Sequence, residues 1–307
     1  MKGGGDEDQC NLNKCRDTSD KCNQKRETNE VFKDRCEIFE FAEERGFQNF
    51  TDVDPALSIK IIGIVGAMKE NIKETIAKIG ANQLSLNNVE PYLKKEEEVV
   101  LEAIKKDFNE LEYADPSLKK NKDFMLAAVA QNGHAIQYAD ASMQKNKEVV
   151  LAAVAQDGYA LNYADPSLKK DNEVVLAAVS QNGFSLKYAD SLMLEDPEIV
   201  LAAVAQEGLA LQYADLSLKK DKDFMISAVA QSGYALMYAD ASLLKDEEVV
   251  LAAVAQDRAA LVYADPSLKK DKDFMLKAVE LSGQGYQTLL MYADASLLND
   301  PDVAALL

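Results

Sequence analysis

Four sets of residues in this chain have types and spacings that could do chemistry. The triplet Tyr-Ala-Asp begins at Tyr113, Tyr138, Tyr163, Tyr188, Tyr213, Tyr238, Tyr263 and Tyr292. Lined along one groove, such a series would present carboxylates and phenols to cations or to a basic peptide. The lysine pairs Lys119-Lys120, Lys169-Lys170, Lys219-Lys220 and Lys269-Lys270 return every 50 residues and could grip an acidic partner. Cys10, Cys15, Cys22 and Cys36 are all near the N-terminus, and His134 is the only histidine.

A plainer reading stands beside each. Aspartate is a strong helix N-cap, so a triplet repeated without change suits packing, with Tyr between units and Asp capping the next turn. The lysine pairs run into Asn or Asp, so local charge nearly cancels and a solvated edge is expected. The cysteine spacings lack the paired C-x2-C knuckles of structural zinc sites. Zinc ligation by the four, disulfides, and free or partner-anchoring thiols therefore all stand. No other cofactor is expected. His134 occupies a slot that varies between copies and reads as a surface residue. No Ser-His-Asp set, phosphate-cradling glycine loop or HExxH appears, so the chain reads as non-enzymatic.

Helical elements must carry these residues. Six of the seven intervals between triplets are 25 residues and the last is 29. LKK motifs alternate with ASMQK, SLMLE and ASLLK, giving a double unit of about 50 residues. In the unit 171–196, Asp171 suits an N-cap and Glu173 the first helical turn. Val174, Val175, Leu176 and Val179 form an apolar stripe, widened by Ala177 and Ala178. Gly183 is expected to close that helix in the left-handed C′ conformation. Leu186, Tyr188 and Ala189 then form a shorter helix. Phe108 and Arg258 stand where other copies have glycine. A left-handed side chain costs about 1–2 kcal/mol, so those two corners are expected to be built differently.

Helices of ten residues are marginal alone and must bury their apolar faces on their neighbours. The expected fold is an all-α α-solenoid of ~25-residue repeats with a short helical N-terminal region. Residues 1–30 read as a polar, Cys-containing tail, 31–85 as an N-terminal helical cap and 86–307 as the array. In the cap region Asp54-Pro55 opens a helix whose Ile59, Ile61, Ile62, Ile64 and Val65 are expected to be buried. LSLNNVEPYLKKEEEVVLEAI is a degenerate earlier copy with Asn88 in the Tyr slot.

NKEVVLAAVAQDGYALNYAD (146–165) and its copies resemble the repeat of the DUF4116 family, over roughly residues 95–300. Residues 1–80 fall outside the likeness. The resemblance implies a helical repeat array and protein interaction, and transfers no catalytic residue.

If sameness serves packing, differences between copies point to contacts. The slot after the corner glycine holds His134, Tyr159, Phe184, Leu209, Tyr234 and Ala259. The slot before the Tyr holds Glu112, Gln137, Asn162, Lys187, Gln212, Met237, Val262 and Met291, and turns apolar toward the C-terminus. The partner-binding candidates are His134, Tyr159, Phe184, Lys187, Tyr234, Met237 and Met291. The net charge of −18, from 34 Lys+Arg against 52 Asp+Glu, disfavours nucleic acid and anionic lipid and fits a basic protein partner. No membrane span or signal peptide is seen, so an intracellular location is expected, with signal-independent export left open. LSGQGYQTLLMYAD carries four extra residues, and the apolar end at Ala304–Leu307 suggests self-association. The expected function is a non-catalytic scaffold or adaptor. The alternative is a structural subunit of a larger assembly, held by its tail and C-terminal end.

Overall fold

The computed structural model describes residues 55–282, 286–297 and 300–304. The four cysteines, the tail, Asp54 and residues 305–307 lie outside them, as does part of the four-residue insertion. The chain divides into two compact units, Met1–Glu102 and Ala103–Leu307. The described residues form helices and turns with no strand, and the second unit is a helical solenoid. No helix among them is long and apolar enough to cross a membrane.

In the first unit, helix α1 (Pro55–Gly80) buries Val65, Ile72, Thr75 and Ile79 along one stripe. Ile64, expected in that core, is 59% exposed, because a period of 3.6 turns it away from the stripe that Val65 begins. The helix ends in a Schellman turn: Asn82, at φ 58°, is the left-handed residue, Gln83 N–H donates to the Lys78 carbonyl and Asn82 N–H to that of Ile79. Two 3-10 turns follow, Leu86–Asn88 and Leu93–Lys95, before α2 (Glu97–Lys106).

The second unit repeats one plan. A long helix leads into a corner 3-10 helix of six residues, and that into a short helix or turn, except that the last long helix is followed by a five-residue α-helix, Tyr286–Leu290. The long helices are α3 (Lys122–Gln131), α4 (Lys147–Gln156), α5 (Asn172–Gln181), α6 (Pro197–Gln206), α7 (Lys222–Gln231), α8 (Glu247–Gln256) and α9 (Lys272–Ser282). Each starts on a cap of the expected kind: Asp171 Oδ1 accepts from the Glu173 and Val174 amides, and Asn146, Asp196 and Asp246 do the same in their own copies. Val174, Val175, Ala178 and Val179 are fully buried, while Leu176 and Ala177 lie at the half-buried edge. Alanine in the third buried position lets successive long helices pack closely side by side.

The corner corrects the expectation for the glycines. Helix α5 ends on Asn182, which is extended (φ −151°), and Gly183 begins the 3-10 helix Gly183–Tyr188 instead of closing α5 in a left-handed turn. Asn182 serves both elements: its backbone leaves the first helix and its Oδ1 accepts from the Phe184 amide. Glycine is required for a different reason. A Cβ on Gly183 would lie 2.3 Å from the Ala203 carbonyl of the next repeat, and one on Gly158 would lie 2.4 Å from that of Ala178. Phe108 and Arg258 carry no left-handed strain, since both start ordinary 3-10 helices. Arg258 Nη2 instead donates to the Ser282 carbonyl.

Candidate functional site

The Tyr-Ala-Asp triplet lies where consecutive repeats join. Asp165 makes three bonds there. Its N–H donates to the Gln144 carbonyl of the preceding repeat at 3.0 Å, and its Oδ1 accepts from the Ser167 amide and hydroxyl at 2.9 and 2.6 Å. The inter-repeat bond recurs as Asp140 to Lys119, Asp190 to Lys169, Asp215 to Leu194, Asp240 to Lys219, Asp265 to Leu244 and Asp294 to Lys269. Bonds from Ser167 hold the Asp165 carboxyl below its ordinary pKa, and Ser142 and Ser242 do the same for Asp140 and Asp240. The fully buried large side chain of the segment is Leu186 and its equivalents, beside a buried small residue, Ser185 or alanine. The tyrosines are half-buried at the edge, and Tyr113 is 39% exposed. The joint is therefore made by Asp and Leu, with Tyr as its outer seal.

The lysine pairs separate into two roles. The first lysine folds back on its own corner: Lys119, Lys169, Lys219 and Lys269 donate to the carbonyls of Glu112, Asn162, Gln212 and Val262 at 2.6–2.8 Å. These acceptors end a 3-10 helix, where carbonyls lack partners. Partial burial pushes the ammonium pKa of all four below the usual lysine value. The degenerate copy keeps the bond, as Lys94 to the Asn87 carbonyl. The second lysine is exposed and faces the next joint, with Lys120 at 3.9 Å from Asp140 and Lys170 at 3.6 Å from Asp190. Only this second lysine fits the expected solvated edge.

The slots that vary between copies lie on the corner helices. In a 3-10 helix residues i and i+3 eclipse, so the slot after the glycine and the slot before the Tyr share one face. At the N-terminal end of the unit this face is polar or engaged between repeats. His134 Nδ1 is 2.9 Å from Asp157 Oδ2, and its ring packs against Phe108 and Tyr163. Tyr159 meets Tyr188 edge-on at 5.9 Å, and the Lys187 ammonium lies 4.5 Å from the Tyr188 ring centre and 5.3 Å from that of Tyr159. Phe184 is half-buried. Of the residues singled out from the sequence, His134, Tyr159, Phe184 and Lys187 thus take part in contacts within the stack.

Toward the C-terminus the same face is more open and largely apolar, although Tyr234 still meets Tyr263 of the next repeat edge-on at 6.5 Å. Leu209, Tyr234, Met237, Val262 and Met291 are 39%, 45%, 48%, 46% and 81% exposed. Sequence reasoning picked Tyr234, Met237 and Met291, and passed over Leu209 and Val262 although they occupy the same slots. It also missed the glutamine that ends α3 to α8. Gln156, Gln181 and Gln256 reach across the stack to accept the corner amides of Gly133, Gly158 and Gly233 at 2.6 Å. The signal was the unchanging Gln at the end of α3 to α8. The four cysteines lie outside the described residues, and those residues contain no group of three or more His, Cys, Asp or Glu placed to hold a metal.

A family model described as a domain of unknown function (DUF4116) matches residues 85–144, 146–194, 196–244 and 246–297. The first three matches each take in two six-residue corner helices and the fourth takes in Arg258–Tyr263 and the helix Tyr286–Leu290, so the family unit is the double repeat, and its boundaries at Asn146, Asp196 and Asp246 are long-helix N-caps. No curated protein and no solved structure matches the chain.

Proposed function

The chain belongs to the DUF4116 family, and from that premise we propose that it is a non-catalytic protein-interaction scaffold that docks a partner on the C-terminal half of its corner-helix face. One observation carries the reading: five apolar side chains, Leu209, Tyr234, Met237, Val262 and Met291, stay open to solvent at equivalent slots of successive repeats. In the slot before the Tyr, other copies hold Asn162, Lys187 or Gln212, so the fold does not require Met237, Val262 or Met291 to be apolar there. A contiguous exposed apolar patch of this kind is a common mark of a protein contact. Packed helices lie roughly 8–10 Å apart. A partner following the column therefore presents an apolar side chain about every third residue of an extended chain, or about every sixth of a helix. The recurring Tyr and Asp side chains have structural tasks, which supports a non-catalytic role. The acidity of the chain favours basic residues flanking the partner's apolar ones.

The test is a retention assay in an extract of the source organism with the M237E/V262E/M291E variant beside an E112A/N162A variant. The first should keep its melting temperature and lose the bound protein, while the second keeps both. Retention by the first variant, or loss by both alike, would overturn the proposal.

A further inference from the structure

The interfaces between successive long helices are not equally tied. Between α4 and α5 three polar or aromatic ties cross the stack: Lys147 pairs with Asp171 and Glu173 at 2.8 Å, Gln181 caps the Gly158 amide, and Tyr159 meets Tyr188. The α3/α4 interface has the same set, in Lys122 with Glu148, Gln156 with Gly133, and His134 with Tyr163. So does α7/α8, in Lys222 with Asp246 and Glu248, Gln256 with Gly233, and Tyr234 with Tyr263.

Helix α6 lies between two interfaces with none of these ties among the described residues. On the α5 side Asn172 stands in the lysine slot, Gln206 makes no bond to Gly183, and Phe184 pairs with no ring. On the α7 side Pro197 takes the lysine slot, Gln231 makes no bond to Gly208, and Leu209 replaces the aromatic residue. Two corner caps also fail here: neither Glu207 nor Ser232 accepts a bond from its 3-10 helix, whereas Asn132, Asp157, Asn182 and Asp257 all do. What remains is burial of Ile199, Val200, Ala203 and Val204, the close approaches of Gly183 to the Ala203 carbonyl and of Gly208 to the Ser232 side chain, and the backbone bonds from Asp215 to Leu194 and from Asp240 to Lys219. Apolar contact is non-directional, so it resists separation but tolerates rotation and sliding. Directional bonds fix an angle.

We propose that the repeat spanning residues 196–221 is a hinge in the array, a built-in joint between two better-tied stacks. The lysines are missing while their acidic partners are present: Asp196 and Glu198 face the Asn172 slot, and Asp221 and Asp223 face the Pro197 slot. The joint also adjoins the open patch, since Leu209 is on the hinge repeat and Tyr234 and Met237 on the next, so flexing there changes the spacing across that patch. The hinge does not rest on the docking proposal and is read on the free chain.

In a linear array the ends fray first and the middle is best protected. Amide hydrogen exchange of the full chain therefore separates a hinge from fraying. The interior amides of α6, from Val200 to Ala203, should exchange at least roughly tenfold faster than those of α4 and α8. The N172K/P197K variant, which gives both acidic pairs a lysine, should bring α6 to within about threefold of α4. Conversely K147A should speed exchange in α5. Equal protection of α6 and its neighbours would overturn the hinge. So would a gap left unchanged by N172K/P197K, or no response in α5 to K147A.

Discussion

Two regions only a few residues apart in every repeat behave differently along the chain. At the seam, Leu161, Tyr163 and Asp165 have counterparts of nearly the same type in each copy, and their bonds recur atom for atom. On the outer face of the corner helix the slots beside them run from Glu112 and Asn162 to Met237, Val262 and Met291. The seam is constant because each copy must fit the next. The face is free of that demand, so its chemistry can follow a partner. An exposed residue that becomes apolar in several neighbouring copies says more than one that never changes.

Acid attacks six seams at once and should have the largest effect. The Asp140, Asp165, Asp215, Asp240, Asp265 and Asp294 carboxyls are all held below the ordinary 3.8 by bonds from the serine two residues on. A depressed folded-state pKa contributes stability that is present above the unfolded value and is lost as pH falls through the folded one. Denaturant midpoints should stay level from neutrality to about pH 5 and drop below about pH 4. A level curve through pH 3 would mean that the seam carboxylates contribute nothing. At high pH the opposite sign applies to Lys222, raised to about 12 by Glu248 and Asp246, whose contribution is lost as pH rises through that value.

Substitutions break single seams. Gly158→Ala forces a Cβ against the backbone carbonyl of Ala178, and overpacking of this kind should cost about 1–3 kcal/mol by chemical denaturation. A neutral outcome would show that the corner relaxes and that close approach does not explain the glycines. Ser185→Ala should move the other way. Ser185 is fully buried in the slot that other copies give to alanine, and its Oγ has no hydrogen-bond partner, so its removal should gain about 1–2 kcal/mol. Asp165→Ala deletes a cap but leaves the backbone bond to Gln144, and should cost about 1 kcal/mol. A loss several times larger would place the carboxylate, and not the backbone, at the centre of the seam.

The repeat period, the helical class and the caps at Asp171 and its equivalents were legible in the sequence, because they rest on local rules with a fixed period. Gly183 was legible as a special position but not for its reason. A glycine just after a helix fits a left-handed C′ and a close approach equally well, and only the Ala203 carbonyl 20 residues away decides between them. The lysine pairs read as one feature because sequence adjacency hides the reach of Lys169 back over its own corner to Asn162. His134 and Tyr159 read as open for a similar reason, since the residues that cover them, Phe108, Tyr163 and Tyr188, come from other repeats. Met237 and Met291 were found correctly as exposed, at 48% and 81%.

The contrast between seam and face is tested most directly by a photo-crosslinking amino acid placed in turn at positions 112, 162, 237, 262 and 291 of the full chain in its native cell. The account predicts one adduct of the same mass at 237, 262 and 291, lost in a variant with glutamate at the other two positions, and none at 112 or 162. Adducts spread evenly over all five positions, or confined to 112 and 162, would contradict it.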